Sequence, residues 1–301
     1  MREFLSYATY RTLGALVGPL PPRAGYWLSR QMGSLAYMVL PHMRNALTIN
    51  MRHVLGPDAD EQEVDELVRK ACINVMKGHY ELFRLSRLSM DEIKAMTRVE
   101  GLEHMEAALA RGKGVVLASA HYGNVDLMSQ LPDAYGIPMT APVWHFEPER
   151  LFQYTLKMRT SHGIRLIPTD GPMMELYRAL KRGEIIGLPG DRSTAGLTVE
   201  VDFFGEPANL PPSPVRVALR TGAALVPAFA ERRPDNTFVV RIEPELELPQ
   251  TGDLEADVLA GTEMLVSAME RAISKHPEQW LVAVSVWPTN DEKPEELLYS
   301  S

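Results

Sequence analysis

Short apolar runs alternate with helix-length stretches through most of this 301-residue chain, and that alternation limits its folds more than any other feature. Residues 115–120, ValValLeuAlaSerAla, form a charge-free run between a Gly112–Gly114 turn and the polar segment His-Tyr-Gly-Asn. Its length and punctuation are those of a buried strand. Residues 165–168, 185–189, 198–204, 224–230 and 237–242 read as strands on the same grounds. Residues 101–111, 149–162, 173–182, 212–221 and 254–276 read as helices between them. A longer helix is expected from Asp58 to about Leu88, capped by Asp58 or Asp60, with Val64, Leu67, Val68, Ala71, Cys72 and Val75 at helical spacing. Strand and helix taking turns over short connections build an α/β protein, with a central, mostly parallel sheet flanked by helices. No repeat and no Gly/Ser-rich linker divides the chain. A single domain over residues 1–301 is expected, with a helical segment at 1–55 and an α/β catalytic core at 56–301.

With 45% hydrophobic and 23% charged residues, the composition excludes disorder and low complexity. The one cysteine, Cys72, can form no internal disulfide and reads as a buried thiol on an apolar helix side. The formal charge of −8 argues against nucleic acid but is unevenly spread. Residues 1–55 carry six arginines against Glu3 alone, a balance of +5, whereas residues 243–301 carry −10. The basic segment holds two apolar runs, 12–22 and 31–41, each broken by Pro or Gly and short of the roughly 18–20 residues a bilayer crossing needs. Neither a transmembrane helix nor a secretory signal is expected. Arg-punctuated apolar helix with Tyr7, Tyr10, Tyr26, Trp27 and Tyr37 suits the interfacial plane of a membrane. Packing of the same helix on the protein's own core is the alternative.

Zinc-protease, phosphate-loop, paired-cysteine and nucleophile-elbow motifs are all missing, and the eight histidines lack metal-ligand spacing, so no metal site is expected. Chemistry concentrates at His121-Tyr-Gly-Asn-Val-Asp126, directly after the run at 115–120. The carboxyl end of a strand is where α/β sheets meet their ligands. If a helix starts near Asn124, the His121 ring can fold back so that Asp126 accepts from Nδ1 and Nε2 is left as a base. A histidine that merely satisfies the turn is the alternative.

The later blocks His162-Gly-Ile-Arg-Leu-Ile-Pro168, Leu188-Pro-Gly-Asp-Arg-Ser193, Asp202-Phe-Phe-Gly205 with Pro207 and Ala208, Arg220-Thr-Gly-Ala-Ala-Leu-Val-Pro227 and His276-Pro-Glu-Gln-Trp280 follow in order. Together with the His121 block, they make the chain resemble the lipid A biosynthesis (lauroyl/myristoyl) acyltransferases over roughly residues 20–290. That family lies within the glycerolipid acyltransferase superfamily and its H-x4-D motif. Two departures, no hydrophobic N-terminal anchor and LeuValAlaValSerValTrp287 in place of a basic segment, make it more similar to the phosphatidylinositol mannoside acyltransferases, which are peripheral membrane enzymes.

The resemblance implies transfer of an acyl group from acyl-CoA or acyl-carrier protein to a sugar hydroxyl of a membrane glycolipid, with no further cofactor, at the cytoplasmic face of the inner membrane. It implies His121 as general base with Asp126 orienting it. It also implies a catalytic role for Glu200, although alternation alone places Thr198, Glu200 and Asp202 on a solvent-facing strand side. Arg192 is a candidate for the developing oxyanion, or else Asp191 and Arg192 only organise a turn. Asn124 and Asp191 are further substrate-binding candidates, and Arg159 and Arg165 are candidates for the phosphates of a CoA donor. Anionic lipid at the membrane surface is the expected partner of residues 1–55. The competing expectations are a lysophospholipid or glycerol-phosphate acyltransferase, whose Glu-Gly-Thr-Arg block is replaced here by Leu-Pro-Gly-Asp-Arg192, and an idle membrane-docking protein.

Overall fold

The computed structural model describes residues 2–192 and 196–287; Ser193 and the acidic stretch 288–301 lie outside the described residues. Helices α1 (Arg2–Val17), α2 (Pro22–Val39) and α3 (Pro41–Leu55) lead into the long α4 (Glu61–Leu85). The α/β part then runs α5 (Met90–Ala95), β1 (Thr97–Glu100), α6 (Leu102–Ala110), β2 (Val115–Ser119), α7 (Val125–Met128), α8 (Leu131–Ala134), β3 (Met139–Val143), α9 (Glu149–Arg159), β4 (Arg165–Pro168), α10 (Met174–Lys181) and β5 (Ile185–Pro189). It ends with β6 (Val199–Phe203), β7 (Glu206–Leu210), α11 (Ser213–Thr221), β8 (Ala224–Arg232), β9 (Phe238–Ile242), α12 (Leu254–Ile273) and a single 3₁₀ turn at Pro277–Gln279.

Seven strands form one sheet in the order β1-β9-β8-β2-β5-β3-β4, parallel except between β8 and β9, and β6 and β7 form a separate hairpin. Every residue of β2 is buried, as a parallel strand covered on both faces must be. Its side chains alternate between two cores. Val116 and Ala118 face the layer of α4, α10, α11 and α12, while Val115 and Leu117 face the layer of α5 to α9.

Three strands escaped the sequence pattern for identifiable reasons. β1 is a half-polar edge strand, β7 is a hairpin arm with Pro207, and β3 contains Pro142, which lies beyond the two residues where β3 pairs with β5.

The helix expected from Asp58 begins at Glu61, with the Asp60 carboxylate accepting from the Gln62 N–H at 3.0 Å. Cys72 is buried on its apolar side, and burial pushes the thiol up to about 11. α2 lies along α4 and buries only small residues, Gly25, Ser29, Gly33 and Ala36, against it. A Cβ at Gly33 would stand 2.4 Å from the Ile73 Cα, so glycine sets how closely the two helices approach. Trp27, Met32, Leu35, Met38 and Val39 of α2 point the other way, Trp27 64% exposed and Met38 65%, whereas Tyr26 and Tyr37 are partly buried. Leu16 on α1 is likewise 66% exposed. Among the described residues no helix is long and apolar enough to cross a membrane.

Candidate active site

The site forms where parallel neighbours β2 and β5 end side by side. Beyond β2 the main chain is tied on three sides. The Gly190 N–H donates to the Ser119 carbonyl at 2.8 Å, the Leu281 N–H to His121 O at 2.8 Å, and the Gly123 N–H to Gln279 O at 2.8 Å. Gly123 has φ of +65°, and a Cβ there would fall 1.5 Å from the Ala230 carbonyl oxygen, so no other residue fits this bend.

Asn124 then starts α7, its Oδ1 accepting from the Leu127 N–H at 2.8 Å while its Nδ2 donates to Glu81 at 2.6 Å. Glu81 on α4 is buried and opposed by the buried Arg232 of β8, whose Nη2 donates to it at 2.7 Å. Tyr26 of α2 also donates its O–H to Glu81, at 2.9 Å. Burial, and then the Glu81 charge, drive the Tyr26 hydroxyl far above the ordinary phenol range. Asn124 is thus placed as a joint between the His121 loop and α4, rather than as a free substrate contact.

His121 Nδ1 lies 2.8 Å from Asp191 Oδ1, and the His121 main-chain N–H donates to Asp191 Oδ2 at 2.7 Å. Trp280 Nε1 donates to the same Oδ2 at 2.8 Å. Asp191 follows β5 and is wholly buried. Burial alone would raise its pKa, but the opposing His121 charge and the three donors outweigh it and hold the carboxyl below the usual carboxylate range. An ionised Asp191 can only accept, so Nδ1 must carry the proton and Nε2 is the basic nitrogen. The ring is 35% exposed, and among the described residues Nε2 has no hydrogen-bond partner. A ring held this way can accept a proton at Nε2 from a group brought against it.

The contact expected between His121 and Asp126 is replaced by this one. Asp126 sits in the first turn of α7 and turns to α9, where the Arg159 Nε lies 2.9 Å from its carboxylate. Gln130 Nε2 reinforces the junction, donating to the main-chain carbonyls of Asp126 and Arg159, each at 2.9 Å. Arg159 is therefore engaged with Asp126. Arg165 begins β4, at the opposite end of the parallel strands from His121, and pairs with Glu184. The structure does not bring Arg165 into the site.

Glu200 is exposed on β6 opposite Asn209, and among the described residues its carboxylate has no hydrogen bond or ion pair. The buried face of its strand, Val201 and Phe203, packs inward, with Phe203 against Trp280. Arg192 is half-buried directly after the dyad. Burial lowers its pKa and the Asp191 charge opposes that shift. The carboxylate that orients His121 was missed as such because it stands 70 positions away in sequence. Its only sequence signal is an acid just past a buried strand, Leu-Pro-Gly-Asp191.

A family model described as bacterial lipid A biosynthesis acyltransferase matches residues 2–288. A phosphatidylinositol mannoside acyltransferase of Mycobacterium tuberculosis is 33% identical over 281 residues, 85% of this chain and 86% of that protein. One from Mycolicibacterium smegmatis is 31% identical over 244 residues, 79% of this chain and 77% of that protein. A lipid A biosynthesis lauroyltransferase of Escherichia coli is 24% identical over 273 residues, covering 88% and 86%.

Proposed function

The chain belongs to the bacterial lipid A biosynthesis acyltransferase family, and we propose that it moves a long-chain acyl group from acyl-CoA or acyl-carrier protein to a sugar hydroxyl of a membrane glycolipid. The His121–Asp191 dyad carries this reading, since it leaves one imidazole nitrogen basic and, among the described residues, unpartnered at the carboxyl edge of the sheet. Relatives named as phosphatidylinositol mannoside acyltransferases cover this chain at higher identity than those named for lipid A. They support a mannoside-type acceptor.

In this mechanism the acceptor hydroxyl attacks the thioester carbonyl while His121 Nε2 takes its proton, an effect worth about 10²–10⁴ in rate. Asp191 keeps the ring in the Nδ1–H tautomer and offsets the imidazolium charge. Collapse of the tetrahedral adduct breaks the carbon–sulfur bond, and the imidazolium proton leaves with the thiol. In this reading Arg192, which follows Asp191 and is largely desolvated, serves as the donor to the oxyanion. Glu200, exposed on the hairpin, is open to an acceptor approaching from solvent.

The first helices supply the membrane contact. A helix that buries Gly, Ser and Ala and shows Trp27, Leu35, Met38 and Val39 to solvent is built to place its large side chains in something other than water. Its arginines, Arg23 and Arg30, are each worth about 1 kcal/mol near an anionic leaflet. This favours peripheral attachment through α1 and α2.

The test incubates the protein with long-chain acyl-CoA and phosphatidylinositol mannoside, reading free thiol and the acylated lipid by mass spectrometry. Lysophospholipid and glycerol phosphate serve as competing acceptors. Acceptor-dependent release that His121→Ala abolishes, with thermal stability nearly unchanged, supports the reading. Substantial residual turnover in the variant, or preference for glycerol phosphate, overturns it.

A further inference from the structure

Trp280 is wholly buried, yet its indole N–H does not end in apolar surroundings; it ends on Asp191. Among the described residues three donors reach that carboxylate, and two belong to His121, its ring Nδ1 and its own main-chain N–H. Donors that travel with the His121 loop cannot fix where the histidine and carboxylate sit together. Trp280 is the donor among the described residues that is anchored elsewhere.

Its anchoring is extensive. The Trp280 ring stands edge-on to Phe203 of β6 at 5.7 Å and 89°, and edge-on to Trp287 at 6.1 Å and 89°. Phe203 and Trp287 stack on each other at 5.3 Å, and Trp287 stacks on His53 of α3 at 3.9 Å. The Trp280 main chain does bridge Tyr122 of the His121 loop, so it is the ring contacts with Phe203 and Trp287 that hold the donor independently of that loop. Edge-to-face aromatic contacts fix the direction of a ring as well as its position, so the N–H is aimed before any substrate arrives.

We infer that Trp280 is a positioning residue for acyl transfer, its indole N–H holding the Asp191 carboxylate in the orientation that directs His121 Nε2 at the acceptor. The inference rests on His121 being the base. A ring that only filled the core would need its volume but not its N–H, and the two roles separate under substitution. Trp280→Phe keeps an aromatic ring for Phe203 and Trp287 and removes the donor. Trp280→His keeps a ring N–H in a smaller ring.

Wild type, W280F, W280H, D191N and the W280F/D191N double variant are compared as full chains, with acyl-CoA and phosphatidylinositol mannoside as substrates. W280F is expected to lower kcat about tenfold to a hundredfold, the range for a hydrogen bond to a charged group, with KM for both substrates unchanged. W280H regains part of that loss. Relieved of one donor, Asp191 holds the imidazolium more strongly, and the acid limb of kcat moves to higher pH; Arg192 is the neighbouring cation that stays in place. In the D191N background, W280F adds less than twofold, because its effect passes through the missing carboxylate.

Equal losses in both backgrounds, a change in KM alone, or an unchanged kcat overturns the inference. Should W280F fail to fold, Trp280→Leu, which also removes the donor, carries the comparison, and an unmoved acid limb there overturns the inference. The downfield His121 Nδ1 proton resonance is read beside the kinetics. If it shifts in W280F while wild type transfers no acyl group, the reaction assignment fails and the positioning stands. If wild type transfers and W280F matches it, the positioning fails and the reaction stands.

Discussion

Two carboxylates stand close to His121 in sequence or in space, and they live in opposite surroundings. Asp126, five residues along the chain, keeps 28% of its side chain exposed and pairs with the partly exposed Arg159. Asp191 reaches His121 from the neighbouring strand, is wholly buried, and accepts from the His121 ring, the His121 main chain and Trp280. A wet, singly paired carboxylate stabilises modestly. A dry one with every contact satisfied can hold a ring in one tautomer. In this protein the acid of the sequence motif joins α7 to α9, and the acid of the adjacent strand serves the histidine.

The largest separation between the two is expected in turnover. Asp191→Asn leaves one acceptor oxygen for three donors and permits the wrong imidazole tautomer, so kcat is expected to fall by about 10³–10⁴, measured as acceptor-dependent thiol release. A loss under tenfold would return the orienting role to Asp126 or to no carboxylate at all.

A smaller difference should appear in acid unfolding. Asp191 has a native pKa below its unfolded value, because the His121 charge and the donors outweigh burial. Its stabilisation is therefore complete above the unfolded carboxyl value, near pH 4, and is lost as pH falls through the depressed native value. Wild type should lose stability over that window, and Asp191→Asn should show a shallower slope there in urea titrations at stepped pH. Parallel slopes would remove the ionised carboxylate from the site.

Much of the fold could be read in advance because its strands are short, apolar and bounded by turns; β4 and β5 lie where the pattern placed them. The strands missed are those whose residues answer to something besides burial, such as the proline in β3 and the solvent at the edge strand β1. His121 was legible because strand, turn and histidine are contiguous. Its orienting acid was not, since pairing of β2 with β5 brings Ser119 and Pro189 into register and spacing along the chain carries no trace of that. Trp280 stood in a recognisable block, but nothing in a sequence shows that an indole N–H points at a particular carboxylate.

The smallest effect expected is also the one that isolates Asp126. Asp126→Asn leaves the Arg159 guanidinium without its anion, beside Tyr10, whose hydroxyl burial pushes up to about 12 and whose surroundings include both charges. Losing a partly exposed pair costs about 1 kcal/mol, and the stranded cation makes the single variant worse than the lost attraction alone. Adding Arg159→Gln removes that cation, so the double variant should recover part of the lost thermal stability, with a coupling of about 1 kcal/mol in a double-mutant cycle. Turnover should follow stability, returning to within about twofold of wild type at temperatures where the double variant is folded. A double variant that regains stability and remains inactive would show that Asp126 acts on the reaction directly, and the division of labour between the two carboxylates would have to be redrawn.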